Sequence, residues 1–301
     1  MDGPALRRAE GELAHARRGR LPDRNARVQG QRGASRARGH RRAARRAVST
    51  PTTASLTSEA VEPHLRGRFG KPYLYEPECE STQLLLLGSG LSEGAVGVTD
   101  HQTRGRGRLG RPWVEPSGTS VLASVLLQPP PERNAPELSL VAAVAVAQVI
   151  DRTTGLTSQI KWPNDVMLNR RKVAGILTEL SDRTVVLGIG VNVNQTREQL
   201  PSDTPTPAGS LLTLTGTRHE RAPLLGALLL ELERMYDAWR EGGLDSVYGE
   251  LGARDFLRGR RITLDGAPAT AVQILRDGRI EIETAAGELR AVESGEVLYA
   301  A

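Results

Sequence analysis

Cysteine is almost missing from this 301-residue chain, since Cys79 stands alone. That excludes an intrachain disulfide framework and a cysteine-built zinc site. The five histidines show no metal-ligand spacing. Aromatic residues make up 3 %, with two Phe in all, which leaves little for a nucleic-acid surface built on stacked rings. The longest unbroken apolar run, Leu140 to Ala147, is far too short for a membrane span. These absences predict a soluble protein of a reducing, cytoplasmic compartment with no membrane partner.

The charge is unevenly placed. Net charge is +5, yet residues 1–47 hold 14 Arg, no Lys and 4 acids, a balance of +10. The remaining 254 residues carry 26 basic and 31 acidic side chains, a balance of −5. The same 47 residues contain only five bulky apolar side chains, Met1, Leu6, Leu13, Leu21 and Val28. So few cannot offset the conformational entropy lost on folding, and a disordered tail is expected. A nucleic-acid-binding arm, an Arg-rich transit peptide and upstream sequence translated from a wrongly chosen start all fit that composition. Residues 48–68, rich in Ser, Thr and Pro, read as linker, so 1–68 is set apart from a domain beginning at 69.

From there the chain predicts an α+β core. Gln83–Gly88 reads as a short helix. Strands are expected at Ala95–Thr99, Ser120–Gln128, Ile160–Trp162, Val173–Leu180 and Val185–Asn194. Pro136 opens a helix to about Arg152 that is apolar nearly all round and therefore buried. A second helix, from about Pro223 to Arg240, repeats Leu225, Leu228, Leu229, Leu232, Tyr236 and Trp239 every three or four residues, with Gly242 as its stop. After Arg254 come five short strands, at Arg261–Leu264, Ala271–Leu275, Arg279–Glu283, Leu289–Val292 and Val297–Tyr299. Asp265-Gly266, Asp277-Gly278 and Gly287 mark their turns, and the spacing predicts a small β-barrel. The divisions are a tail at 1–68, a catalytic-type domain at 69–250 and a barrel at 251–301.

Three lysines against 37 arginines make each lysine a choice. Lys161 and Lys172 lie close together, in Lys161-Trp162-Pro163-Asn164-Asp165 and Arg171-Lys172-Val173-Ala174-Gly175-Ile176-Leu177. An ammonium fits between oxygens where a planar guanidinium does not. From Arg104 to Arg111 the chain sets four Arg and three Gly in eight positions. Such a loop is mobile by itself, because Gly frees the backbone and like charges repel. Around an anion its N–H groups and guanidinium forks close on oxygens, so a loop ordered by an anionic ligand is expected. Gly105 to Gly110 formally matches a dinucleotide fingerprint, but no apolar strand leads straight into it and Pro112 and Pro116 follow it. Gly90-Leu91-Ser92-Glu93-Gly94 matches a hydrolase motif but sits between helix and strand in the reverse order of a nucleophile elbow.

Taken together, Glu80-Ser81-Thr82-Gln83, Gln102 to Arg111 with Trp113, the two lysine motifs, and Gly188-Ile189-Gly190-Val191-Asn192-Val193-Asn194 resemble biotin–protein ligase. The resemblance runs from about residue 70 to the end. It implies a mixed sheet with packed helices, of the class II synthetase-like biotin/lipoate ligase type, and a C-terminal SH3-like β-barrel. It also implies an ATP-dependent ligase that makes biotinyl-5′-adenylate from biotin and MgATP. That enzyme passes biotin to one lysine of a biotin carboxyl carrier domain of a biotin-dependent carboxylase. By motif match, Ser81, Thr82, Gln83, Gln102, Arg106, Gly107, Arg108 and Lys172 are the biotin and acyl-phosphate contacts. Arg111, Asn164 and Asn192 belong to the ATP side. Lys172, Arg106 and Arg108 would stabilise developing charge, and Asp165 would orient or deprotonate the carrier lysine, unless it merely pairs with Lys161. No residue is assigned to a metal, and magnesium is expected to be held by the phosphates.

Gln83 departs from the family, which usually places Asn there. Some relatives carry an N-terminal winged-helix DNA-binding domain, which residues 1–60 lack the apolar residues to build, so no specific DNA binding is expected. A lipoate or octanoate ligase or transferase of the same fold is the enzymatic alternative, and a nucleic-acid-binding protein acting through residues 1–47 is the other.

Overall fold

A computed structural model describes residues 54–181 and 183–299. The disorder expected of residues 1–47 lies outside the described residues. The linker expected up to residue 68 is replaced, from residue 54, by packed chain. Leu56 and Val61 are fully buried, and a one-turn helix α1 (Ser58–Val61) is capped by the Thr57 hydroxyl. Two apolar residues in a Ser/Thr/Pro-rich stretch were too sparse to register in composition, yet both find the core.

Seven strands form one sheet: β1 (Tyr73–Cys79), β2 (Val96–Gln102), β3 (Ser120–Leu127), β4 (Gln159–Lys161), β5 (Asp165–Leu168), β6 (Arg171–Ser181) and β7 (Thr184–Asn192). Their order is β1-β2-β3-β7-β6-β5-β4. Only the β1–β2 pair is parallel, so the sheet is mixed. β1 went unread because Pro77 and two glutamates break its apolar pattern. An edge strand tolerates both, since one side of its ladder is unpaired. The helix expected at Gln83–Gly88 is instead a series of turns, held by bonds such as Leu87 N–H to the Gln83 carbonyl at 2.9 Å. Four consecutive leucines supply no polar face for a surface helix.

Helices α2 (Leu138–Thr154), α3 (Leu211–Thr215), α4 (Arg221–Gly242) and α5 (Asp245–Ala253) follow the strands or intervene between them. α2 is buried from Leu138 to Ile150 almost without interruption. It ends at Gly155, whose φ of 70° lets its N–H reach the Asp151 carbonyl at 2.8 Å. α4 packs on α2 and continues one residue past its expected stop, to a cap at Gly243. The indole Nε1 of Trp239 on α4 donates to Glu137 Oε2 at 2.7 Å, fixing α4 at the root of α2.

Beyond α5, strands β8 (Arg261–Leu264), β9 (Ala267–Ile274), β10 (Ile280–Thr284), β11 (Leu289–Val292) and β12 (Val297–Tyr299) form a second sheet. Its order is β11-β10-β9-β8-β12 and every pair is antiparallel, as an SH3-like barrel requires. Asp265, Gly266, Gly278 and Gly287 all have positive φ at the turns foreseen for them. The barrel docks on the larger sheet through Trp162, whose indole donates to the Gly278 carbonyl at 2.9 Å. The rings of Phe256 and Tyr299 meet edge-on at 5.0 Å between centroids.

One buried charge fastens the N-terminal segment. Arg221, with 2 % of its side chain exposed, pairs with Asp100 at 2.9 Å. It also donates to the carbonyls of Ser120 at 2.9 Å and Ala54 at 2.7 Å. Tyr75 donates its hydroxyl to the other Asp100 oxygen at 2.7 Å. Removing one partner leaves an uncompensated buried charge, so Arg221→Met should destabilise the fold by about 3–5 kcal/mol. Denaturant midpoints measure this, and adding Asp100→Asn to the same chain should recover part of the loss.

Candidate active site

The floor of the principal cavity is laid by β6 and β7, where Gly175 faces Gly190 and Leu177 faces Gly188 in register. Glycine inside a strand weakens packing and commonly marks a close approach. Here the reason is visible. A Cβ on Gly190 would lie 2.7 Å from the Trp113 ring, and one on Gly175 would lie 3.0 Å from it. A Cβ on Gly188 would meet the Gln83 side chain at 3.1 Å. The bare backbone thus forms a trough, with Trp113 lying over one part of it and Gln83 over another.

The wall beside it is the turn region at Ser81–Gln83. Gln102, the last residue of β2, accepts from the Thr82 N–H at 2.9 Å, while the Thr82 and Ser124 hydroxyls share a hydrogen bond at 2.8 Å. Gln83 donates its amide to the carbonyls of Leu177 and Val186, both at 3.3 Å. The Gln83 amide therefore reaches the backbone of both β6 and β7.

Residues 104–111 form the roof. Trp113 N–H bonds the Gly105 carbonyl at 2.9 Å and Gly107 N–H bonds that of Arg111 at 2.7 Å, which folds the segment back on itself. A Cβ on Gly105 would lie 2.4 Å from the Trp113 carbonyl oxygen, so only glycine fits there. Arg106 pairs with Glu179 of β6 at 2.9 Å, and Arg111 pairs with Glu296 of the barrel. Arg108 is half-buried and has no carboxylate within ion-pair distance among the described residues. Burial pulls its guanidinium below its ordinary range, with the field of Asp165 opposing.

Opposite the roof stand the two lysines. Lys172 Nζ lies 2.5 Å from Asp165 Oδ1, and Lys161 Nζ lies 3.9 Å from Oδ2. The bare pairing with Lys161 left open by the sequence is the longer of the two contacts. The Lys172 contact lacks hydrogen-bond alignment, since Asp165 Oδ1 has no hydrogen-bond partner among the described residues. Lys172 also faces the Trp113 ring at 5.6 Å, and Lys161 faces that of Tyr299 at 5.9 Å. Lys161 is buried, and desolvation pushes its ammonium below the usual lysine range against the pull of Asp165.

All twelve residues singled out in the sequence line this one cavity: Ser81, Thr82, Gln83, Gln102, Arg106, Gly107, Arg108, Arg111, Asn164, Asp165, Lys172 and Asn192. Besides Gln83, two of them spend their amide N–H groups on the protein. Asn164 donates to the Ile176 carbonyl at 2.7 Å and Asn192 to that of Gly209 at 3.0 Å. Sequence reasoning assigned no role to Trp113, to Thr204, Pro205, Thr206 and Ala208, or to the barrel's Gly295–Leu298, which also line the cavity. The glycines of β6 and β7 were the available signal for Trp113, while the barrel's contribution had none. A trough with apolar sides, cations above and across, and one buried carboxylate can hold an elongated anion and press it against positive charge.

Comparison with known proteins narrows the class. Residues 78–195 match the model of the biotin/lipoate A/B protein ligase family. The biotin–[acetyl-CoA-carboxylase] ligase of Mycobacterium tuberculosis is 32% identical over 217 residues, covering 69% of this chain and 79% of that protein. The bifunctional ligase/repressor BirA of Bacillus subtilis is 37% identical over 187 residues, covering 59% of this chain and 58% of that protein. The chain thus spans little more than half the length of the BirA proteins it matches. Among solved structures, the Aquifex aeolicus biotin protein ligase in complex with biotin and ATP superposes with a TM-score of 0.68. That match has 31% identity and covers 74% of this chain and 96% of the other. The chain belongs to the biotin/lipoate A/B protein ligase family.

The glycine floor is directly testable. Gly190→Ala should lift the Trp113 ring off β7, at a cost of about 1–3 kcal/mol for overpacking. Trp162 and Trp239 are fully buried, so a red shift in tryptophan emission would report Trp113. An emission spectrum identical to that of the parent chain would refute the stacking.

Proposed function

We propose that this chain activates biotin with ATP and transfers it to a carrier protein. The observation that carries the reading is the arginine-rich roof facing Lys172 across the glycine floor. In the first step a biotin carboxylate oxygen attacks the α-phosphorus of ATP, forming biotinyl-5′-adenylate and releasing pyrophosphate. Both reactants are anionic, so repulsion raises the barrier, and cations placed where charge accumulates lower it. Lys172, Arg106 and Arg108 supply those cations. Ser81, Thr82, Gln83, Gln102 and Gly107 complete the biotin end. Arg111 faces the nucleotide, with Asn164 and Asn192 shaping the wall on that side through the backbone groups they hold.

The product is a mixed anhydride that water destroys, so a roof closing over it protects as well as binds. In the second step the amine of a carrier lysine attacks the acyl carbon and AMP leaves, with loss of the amine proton. Asp165, poised between Lys172 and Lys161, orients that amine or takes its proton. The carrier is a biotin carboxyl carrier domain of a biotin-dependent carboxylase, and the reaction is assigned to the cytoplasm. Magnesium enters with the nucleotide. The carboxylates lining the cavity, Asp165 and Glu296, both face cations, so the described residues offer no cage for the metal, and the phosphates would hold it. The division from the barrel at 250 and 251, with the larger domain now taken from residue 54, and the absence of specific DNA binding belong to the same reading.

Biotin-dependent exchange of labelled pyrophosphate into ATP tests the first step. Lys172→Ala should lower it by about 10²–10³, the usual cost of one lost charge-stabilising donor. An equal rate would remove the lysine's role, and no exchange by the unaltered chain would end the reading. A larger ligand-induced melting shift with lipoate than with biotin would favour the lipoate alternative.

A further inference from the structure

The roof leaves the sheet at the end of β2 and returns through Trp113 to Gly118. At this junction sits a carboxyl group that the proposed chemistry does not use. The Glu115 side chain is 0 % exposed. Its Oε1 accepts the backbone N–H of Gln102 at 3.1 Å, and Gln102 in turn accepts through its side chain from Thr82. The chain of contacts therefore ties the returning arm to the outgoing arm, and the outgoing arm to the Ser81–Gln83 wall. Among the described residues two atoms there lack partners: Glu115 Oε2 and His101 Nδ1 are both buried without a hydrogen bond. His101 Nδ1 lies 3.6 Å from Glu115 Oε1, too far for one. Buried polar atoms are nearly always satisfied, so a pair left open at the root of a functional loop calls for a reason.

We propose that Glu115 is a positioning residue, which clamps the two arms of the roof at their root and, by gaining or losing its proton, sets how firmly Gln102 is presented to the biotin end of the trough. The inference rests on the biotin-activating reading above. Burial pushes the Glu115 carboxyl up to about 7, with the Gln102 N–H pulling the other way. Both forms are therefore populated near neutral pH. The ionised form accepts the Gln102 N–H in a charge-assisted bond, roughly twice as strong as a neutral one. The titratable groups near it are His101 from β2 and Cys79 from β1, whose thiol is raised mainly by burial and also by the field of Glu115. Asp100, the neighbour on β2, is occupied by Arg221 and Tyr75.

The sign follows. The KM for biotin should fall as pH rises through about 7, by about three- to tenfold, the difference between a neutral and a charged hydrogen bond. Glu115→Gln keeps an acceptor for Gln102 but cannot ionise. Its KM should stay at the low-pH value throughout, with kcat little changed. Glu115→Ala removes the acceptor and should raise the KM at every pH. Thermal melting supplies a readout independent of activity. The folded carboxyl holds its proton more tightly than the unfolded one at its ordinary 4.5, so stability falls as pH rises from there to about 7. Glu115→Gln should abolish that slope. The role is overturned if the Gln variant keeps the parent's pH step in KM, or if both variants match the parent at every pH. A parent chain that gives no biotin-dependent exchange sinks the activity reading first, which is a separate result.

Discussion

Positive charges have been brought together around one trough, and their mutual repulsion must be offset before the site can exist. The offset comes from carboxylates on separate parts of the chain. Glu80 reaches Arg104 at 3.4 Å, Glu179 of β6 reaches Arg106, Asp165 of β5 reaches Lys172, and Glu296 of the barrel reaches Arg111. The arginine pairs lie at partly exposed positions, where an ion pair contributes roughly 0–1 kcal/mol. Weak pairs hold the cations in place and can still be exchanged for the oxygens of an anionic substrate at little cost. The Lys172–Asp165 contact is more buried, so solvent and salt screen it less.

The floor and the roof solve complementary problems. A flat aromatic side chain can lie on a sheet only where side chains are missing, and Gly175 and Gly190 face each other across β6 and β7 to make that bare patch. The roof needs flexibility along its length and firmness at its ends. Gly107 and Gly110, where an added Cβ would meet little or nothing, serve the first need. The second is met by backbone bonds at Trp113 and by the buried link from Glu115 through Gln102 to Thr82. The barrel is part of the same device, since Glu296 and its neighbours close the open side of the cavity. Trp162, within the first lysine motif, is also the residue that docks the barrel, so site and domain contact share one short stretch of chain.

Much of this was legible in the amino-acid order. The β6–β7 strands, the two long helices and all five barrel strands follow from apolar periodicity and Asp-Gly turns, which are local signals. β1 was hidden by Pro77, α1 by a polar composition, and the leucine run at 84–87 looked helical because periodicity cannot separate a buried turn from a buried helix. The twelve candidate residues were found through charge, glycine content and family resemblance, and they do share one cavity.

What the chain determined unaided is its inventory: three lysines among many arginines, glycines at fixed places in two strands, and turns that close a small barrel. Tertiary structure alone decided the partnerships. Lys172 meets Asp165 because β5 and β6 are neighbours, Arg111 meets Glu296 across 185 positions of chain, and Glu115 lies under Gln102 because the roof doubles back. Coulomb and hydrogen-bond energies depend on separation in space, and a linear sequence carries no such distance until the sheet has been paired.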